Sequence, residues 1–215
     1  MTRLALGLFV MVGALVGLAG AAQAHPHVWI AARAEIVFDT TGKVAGIRHS
    51  WVFDEMYSAF ATQGLGDKEK PPTREQLAPL AKTNVEGLTE FDYFTVVKAG
   101  GVKSEFLMPT DYYLEADATR AVTLTFFLPL KTPVSASKAL SVQVYDPTYL
   151  IDFKFERTEP VVMKGAPQGC SLNISGADPL KPDETKKLSE SFFTGLSPGA
   201  DFGVKLAARV TVACP

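Results

Sequence analysis

The sequence predicts an α+β protein that consists mostly of antiparallel β-sheet, with a helical insertion after an amino-terminal hairpin and one helix near the carboxyl terminus. Segments 28–38 and 44–53 are rich in apolar residues and flank the turn sequence DTTGK, which is typical of a β-hairpin. From residue 93 onward, short segments rich in β-branched and aromatic residues follow one another with turns between them. This succession predicts further strands rather than helices.

Two helices are predicted in an insertion at about 54–90, between the hairpin and the later strands. Asp54 can cap the first. Thr73 is followed three positions later by Gln76, the spacing of a capping box, and an apolar stripe at helical spacing follows. Near the carboxyl terminus, the sequence PDETKKLSESFF predicts one more helix with Asp183 as its cap.

The first 24 residues are typical of a secretory signal peptide. Arg3 precedes an apolar run that ends in the small-x-small sequence AQA, so cleavage after Ala24 would make His25 the new amino terminus. The alternative is an uncleaved membrane anchor, but four glycines interrupt the run and no charged cluster follows it. We therefore expect residues 25–215 to form a single periplasmic domain with no membrane insertion after cleavage.

Charge and cysteine content narrow the possible partners and the compartment. The formal net charge is −2 and no basic run is present, which argues against binding to nucleic acid. The two cysteines, Cys170 and Cys214, are expected to form a disulfide in an exported chain. A cysteine metal site is the alternative, but it would require closer spacing or more ligands.

Several segments together resemble one known family. The sequences HPHVW, WVFDEMYSAF, REQLAPLAKTNVEGLTEFDYF, LPLKTPV and YDPTYLIDF are similar to the domain-of-unknown-function family 1007 (DUF1007), and the resemblance covers the whole mature chain. Members are secreted bacterial proteins described as periplasmic components of an uncharacterised transport system, and they are associated with nickel, cobalt and zinc transporters. The resemblance therefore implies divalent-metal traffic and an inner-membrane metal transporter as partner.

The chain departs from this family before the LAPLAK helix, where some members carry an EF-hand-like loop. A loop from Asp67 to Gln76 would hold ten residues, whereas an EF-hand needs twelve. It also lacks the mid-loop glycine, and a glutamine replaces the final bidentate glutamate. We expect no calcium site here.

The sequence HPH at the predicted mature terminus suggests a transition-metal site. The α-amine and imidazole of His25 can chelate one ion, and His27 or His49 can add a second imidazole, a donor set that suits copper or nickel and can serve zinc. Pro26 has no amide hydrogen, so a planar amide-bound copper site is blocked. The alternative for the two terminal histidines is a solvated, frayed terminus.

Strand register suggests further ligands. If Phe38 pairs with Val44, then His49 lies opposite Arg33, on the face of His27 but too far along the sheet to share an ion by strand rise alone. On the same register Glu55 lies opposite His27.

Carboxylates complete the candidate set. Asp54 and Glu55 could finish the coordination shell or orient an imidazole, and Asp146 could lie near the site. Each has a structural alternative: Asp54 as an N-cap and Asp146 in turn chemistry. His49 is at least as well explained as a core or surface histidine.

Three function classes follow. The leading hypothesis is a non-enzymatic periplasmic protein that binds a divalent transition metal, namely nickel, cobalt, zinc or copper, for a metal transporter. The second is a metal-free assembly or binding module of a membrane transport system. The third is a copper-dependent oxidase with an amino-terminal histidine chelate. Hydrolytic catalysis has little support, because the sequence has neither a G-x-S-x-G elbow nor an H-E-x-x-H helix.

Overall fold

The computed structural model describes residues 26–66, 70–176 and 203–215. In these ranges the chain forms two mainly antiparallel β-sheets and few helices, which confirms the predicted β-rich fold class. The predicted signal peptide, His25, Asp67 and the helix predicted to begin at Asp183 lie outside the described residues.

The elements follow one another in chain order. The strands are β1 (Val28–Phe38), β2 (Val44–Phe53), β3 (Thr95–Ala99), β4 (Val102–Lys103), β5 (Thr110–Ala116), β6 (Val122–Val134), β7 (Leu140–Val144), β8 (Ile151–Phe155), β9 (Val161–Lys164), β10 (Ser171–Ser175) and β11 (Arg209–Ala213). The helices are α1 (Glu55–Ala61) and α2 (Arg74–Gly87), and 3-10 segments span Leu88–Phe94 and Gly203–Lys205.

The first sheet has the strand order β5-β6-β2-β1-β8, and β9 also pairs with β1. The predicted hairpin of β1 and β2 is confirmed. Its turn is held by Asp39, whose Oδ1 accepts hydrogen bonds from the backbone nitrogens of Thr41 and Lys43. The strands β8 and β9 pair one after the other along β1, and both run parallel to it. These parallel pairs were not predicted from the sequence.

The second sheet has the order β10-β11-β7-β3-β4 and shares a hydrophobic core with one end of the first. Ile36 and Ile47 of the first sheet pack there with Val142 and Val212 of the second, all almost completely buried. The other end of the first sheet packs against α2 in a separate core cluster. This second cluster positions the cavity described below.

Both helices begin at side-chain caps. Asp54 caps α1, and Thr73 and Gln76 form the predicted capping box at α2, with both reciprocal hydrogen bonds present. The helix α2 buries Leu77 and Val85 against the first sheet. No helix in the described ranges is long and apolar enough to cross a membrane.

A disulfide joins Cys170 to Cys214, as predicted. The two cysteines flank the paired strands β10 and β11: Ser171 lies opposite Ala213, and the disulfide follows as the next position of the same register. It therefore closes the end of an edge pair, because within the residues that the structure describes β10 is the terminal strand of its sheet and pairs with β11 alone.

Candidate functional site

The described part of the predicted metal-binding terminus begins immediately before β1. His27 is exposed, and its backbone N–H donates to the carbonyl of Leu150 at 2.8 Å. That carbonyl belongs to the loop that enters β8. The chain is thus fixed to the sheet at His27, one residue before the strand starts.

Asp54 connects this strand to the first helix. Its Oδ1 accepts from the backbone N–H of Tyr57 at 2.9 Å, which caps α1. Its Oδ2 accepts from the backbone N–H of Trp29 at 2.9 Å, and its own N–H donates to the Trp29 carbonyl at 3.0 Å. Both carboxylate oxygens therefore accept backbone hydrogen bonds, which supports the N-cap interpretation of this residue.

Asp146 has a similar structural role in the loop before β8. Its Oδ1 accepts from the backbone and the hydroxyl of Thr148, both at 2.8 Å, and its Oδ2 accepts from the N–H of Ile151 at 3.0 Å. These bonds are the turn chemistry expected of the sequence Asp-Pro-Thr. They shape the loop that presents Leu150 to His27.

The predicted position of His49 is wrong by one residue. Phe38 does pair with Val44, but a register shift at Phe38 places His49 opposite Ala34 instead of Arg33. In a strand, a shift of one residue moves each side chain to the opposite face. His49 consequently points into the core, on the face opposite to the one predicted.

The same shift changes the partner expected for His27. Ile30 pairs with Phe53, and the next hydrogen-bonded partners are Trp29 and Asp54. Glu55 is already the first residue of α1, so it does not pair with β1 and is exposed in the first helical turn.

His49 lies among aromatic rings at the centre of the first sheet. It is 1% exposed, with ring-centroid distances of 5.2 Å to Trp51 and 4.9 Å to Phe126. Burial lowers the pKa of His49 from its ordinary value to about 3. The imidazole is therefore neutral at neutral pH, because a buried charge without a partner is strongly disfavoured.

The hydrogen bonds of Thr95 define the tautomer of this histidine. The Thr95 hydroxyl donates its single proton to the Tyr93 carbonyl at 2.8 Å. At its 3.2 Å contact with His49 Nε2 it must therefore accept, so the imidazole carries its proton on Nε2. Among the described residues, the Nδ1 atom of His49 has no hydrogen-bond partner.

The structure therefore separates the candidate ligands. His27 and Asp54 lie at the same end of the sheet, because Asp54 accepts a hydrogen bond from the backbone of Trp29, two residues after His27. His49, in contrast, is enclosed in the core. No group of three or more histidine, cysteine, aspartate or glutamate side chains suitable for a metal ion occurs in the described ranges. His25 lies outside those ranges.

A cavity of about 360 Å³ lies between the first sheet and α2. The cavity itself was not predicted from the sequence. Its walls include six aromatic side chains: Trp51, Phe53, Tyr57, Phe91, Phe94 and Phe153. Four of the five segments that carried the family resemblance contribute to this lining, namely HPHVW, WVFDEMYSAF, REQLAPLAKTNVEGLTEFDYF and YDPTYLIDF. Their convergence on one cavity is the only signal in the sequence that could have indicated it.

One wall of the cavity continues into backbone with unusual dihedral angles. Asp92, Tyr93 and Phe94 have φ values of 49°, 56° and 49°, in the left-handed region that L-residues rarely adopt. The segment is held by the bond from Thr95 to Tyr93 and by an ion pair of 2.8 Å between Asp92 and Lys103. Such local strain is found preferentially at functional sites and ligand clamps.

We predict that Asp54→Ala lowers the free energy of unfolding by about 2 kcal/mol, because it removes a helix cap and the acceptor of the Trp29 N–H together. Asp54→Asn, which keeps one carbonyl oxygen for the cap, should lose roughly half as much. Urea unfolding followed by circular dichroism measures both. A loss below about 0.5 kcal/mol for the alanine variant would show that these bonds contribute no more than an ordinary surface residue.

Taken together, these features define a β-rich, disulfide-linked protein with two sheets and an aromatic cavity beneath an inserted helix. The chain belongs to the DUF1007 family, described as protein of unknown function, whose family model matches residues 10–214.

Two uncharacterised proteins are similar to it. One, a 15.5 kDa protein encoded in the trpE 3' region of Spirochaeta aurantia, is 33% identical over 90 residues, which is 42% of this chain and 64% of the relative. The other, from Haemophilus influenzae, is 21% identical over 217 residues, covering 98% of this chain and 97% of the relative. The chain thus spans less than two thirds of the first relative and nearly all of the second.

Proposed function

We propose that the protein is an exported, non-enzymatic accessory protein that binds a divalent transition metal for an inner-membrane transporter. The ion would be held by the amine and imidazole of His25 together with the imidazole of His27. The observation that supports this proposal is the anchoring of His27. Its side chain is exposed while its backbone N–H bonds to Leu150 at 2.8 Å, so the terminus leaves the sheet from a fixed point.

The geometry also argues for a smaller ligand set than the sequence suggested. Asp54 uses both carboxylate oxygens for backbone hydrogen bonds, and His49 is buried among aromatic rings. We therefore leave both out of the proposed coordination shell. Glu55 stays in the proposed ligand set, because it follows Asp54 directly and is exposed.

The test uses protein exported to the periplasm, so that the signal peptidase produces an authentic His25 terminus. Copper, nickel and zinc are titrated into this protein, and copper should bind most tightly in vitro by the Irving–Williams order. Binding should weaken as the pH falls, because protons compete for the amine and the imidazoles.

Two variants separate the parts of the proposed site. One additional alanine before His25 moves the amine away while both imidazoles stay, and His27→Ala removes one imidazole. Each should lower the affinity at least about tenfold, equivalent to about 1.4 kcal/mol. His49→Gln is the matched control and should leave affinity unchanged. Equal affinity of the native and extended proteins would exclude the amine from the site.

The alternative is a metal-free assembly or binding module of a membrane transport system. The observation that favours it is the structural use of Asp54 and His49, since two of the predicted ligands serve the fold instead. If the authentic protein binds none of the three metals, this alternative is supported and the metal proposal fails.

A further inference from the structure

The aromatic cavity between the first sheet and α2 points to a second function, independent of the proposed metal site. We propose that this cavity binds an uncharged, mainly aromatic small molecule. Its volume of about 360 Å³ lies within the range of small-molecule sites.

The cavity wall is a connected set of aromatic rings. Phe91 stacks on Phe94 at a centroid distance of 5.1 Å, and Phe94 contacts Phe153 at 5.5 Å. Phe153 meets Trp51 nearly edge to face at 4.9 Å. Aromatic rings favour offset-stacked and edge-to-face contacts with further rings, so a planar aromatic ligand can extend this arrangement.

Two large apolar side chains of the cavity lining are also exposed to solvent. Phe91 and Leu150 are 55% and 41% exposed, beside the exposed polar residues Thr83, Glu90 and Thr148. Large apolar side chains that are exposed at a concave site are typical of a surface that contacts a ligand. Phe91 also directly precedes the three residues with left-handed backbone, so the strained segment holds part of this lining in place.

The charge of the lining selects against anions. Its ionisable side chains in the described ranges are Glu90, Asp146 and Tyr57, and none of the lining residues there is lysine, arginine or histidine. An anionic ligand would lie near two carboxylates without a compensating cation, which is unfavourable in a partly desolvated site.

Tyr57 supplies a polar contact for a neutral ligand. Its hydroxyl accepts a hydrogen bond from Asn84 Nδ2 at 3.4 Å, which leaves its own proton to donate to an acceptor on the ligand. Burial raises the pKa of Tyr57, so the hydroxyl keeps this proton at neutral pH.

The test uses two fluorescent probes that differ by one sulfonate. N-phenyl-1-naphthylamine is uncharged, and 1-anilinonaphthalene-8-sulfonate is its anionic counterpart. With the full mature protein we expect saturable binding of the uncharged probe, with affinity at least about tenfold higher than for the sulfonate. The substitution Glu90→Gln should narrow this difference, because it removes one negative charge from the lining.

A cavity-blocking variant locates the probe. Gly87 lines the cavity in the last turn of α2, and a Cβ built there would meet no atom within 4 Å. The Cβ of Gly87→Phe would therefore enter open space at the wall, so this variant places a large side chain beside the cavity, and it replaces a poor helix former. Lys82→Phe adds the same side chain on α2 at a position outside the lining, and is the matched control.

We expect Gly87→Phe to weaken binding of the uncharged probe at least about tenfold and Lys82→Phe to leave it unchanged. Far-UV circular dichroism and thermal unfolding verify that both variants fold. Three results would overturn the proposal: no saturable binding of the uncharged probe, equal affinity for both probes, or equal affinity of the two phenylalanine variants. If another part of this chain fills the cavity, the uncharged probe will not bind, which is the first of these results.

Discussion

Lowering the pH from 7.5 to 5 is expected to cost the native state about 2 kcal/mol through His49 alone. An unfolded histidine titrates near pH 6.5, whereas burial lowers the pKa of His49 in the folded protein to about 3. Between these pH values the unfolded state binds a proton that the folded state does not. The free energy of unfolding therefore decreases by about 1.4 kcal/mol for each unit by which the pH is lowered. The full loss, reached near pH 3, is about 5 kcal/mol.

The direction of this effect follows from the folded pKa being depressed. The stabilisation is fully present above pH 6.5 and disappears as the pH falls toward 3. Within the described ranges, the side chains of Trp51, Phe126 and Thr95 contact the His49 ring, and none of these three carries a charge that could compensate a proton there. Protonation therefore places an uncompensated cation in the core.

The measurement is urea unfolding at several pH values for the wild type and for His49→Leu. Other groups titrate over this range, so the informative quantity is the difference between the two pH profiles. His49→Leu should be about 2 kcal/mol less sensitive to the change from pH 7.5 to 5. Parallel profiles would contradict a buried neutral imidazole. Nitrogen NMR shifts of the His49 ring give an independent check, because we expect the proton on Nε2.

The error in the position of His49 shows where sequence reasoning about this sheet fails. Alternation and the turn correctly predict the hairpin and the Phe38–Val44 pair. They do not predict the register shift beside Phe38, because a bulge changes the pairing without changing the apolar composition. This shift of one residue was enough to move His49 from the predicted solvent face to the core.

Local signals were more reliable than long-range ones. The caps at Asp54 and Thr73 depend on side chains and backbone groups only three positions apart, so their spacing is visible in the sequence. The parallel pairing of β8 and β9 with β1 joins residues more than a hundred positions apart. No local pattern determines which of several similar strands occupies a sheet edge.

The cavity was missed for a related reason. Its aromatic residues have the same composition and spacing as a filled core, so the sequence predicts burial but not the space between the rings. That space depends on how α2 and the segment Leu88–Phe94 lie over the sheet. The left-handed backbone at Asp92 to Phe94 could not be predicted from the sequence either, because none of these residues is a glycine.

Removing the disulfide should be the most damaging change outside the central core. We predict that Cys170→Ala/Cys214→Ala lowers the free energy of unfolding by about 4 kcal/mol, since the bridge closes a loop with a sequence separation of 44. For a protein of this size the corresponding decrease in Tm is roughly 10 °C. Thermal unfolding of wild type and variant measures it. This magnitude assumes that the unfolded double variant gains the full conformational freedom of the loop that the disulfide closes in the wild type.

The loss of order should begin at β10, because three features make this strand depend on the bridge. Among the described residues it is the edge of its sheet, it pairs there with β11 alone, and its side chains are exposed or half-buried. The strand β11 also pairs with β7 and buries Val210 and Val212, so it should remain bound to the sheet. Hydrogen exchange in native conditions should therefore accelerate most in β10 of the double variant, less in β11, and little in β1 and β2. Unchanged exchange in β10 together with an unchanged Tm would show that strand pairing alone fixes this edge, and two reactive thiols in denatured, unreduced protein would show that the bridge does not form.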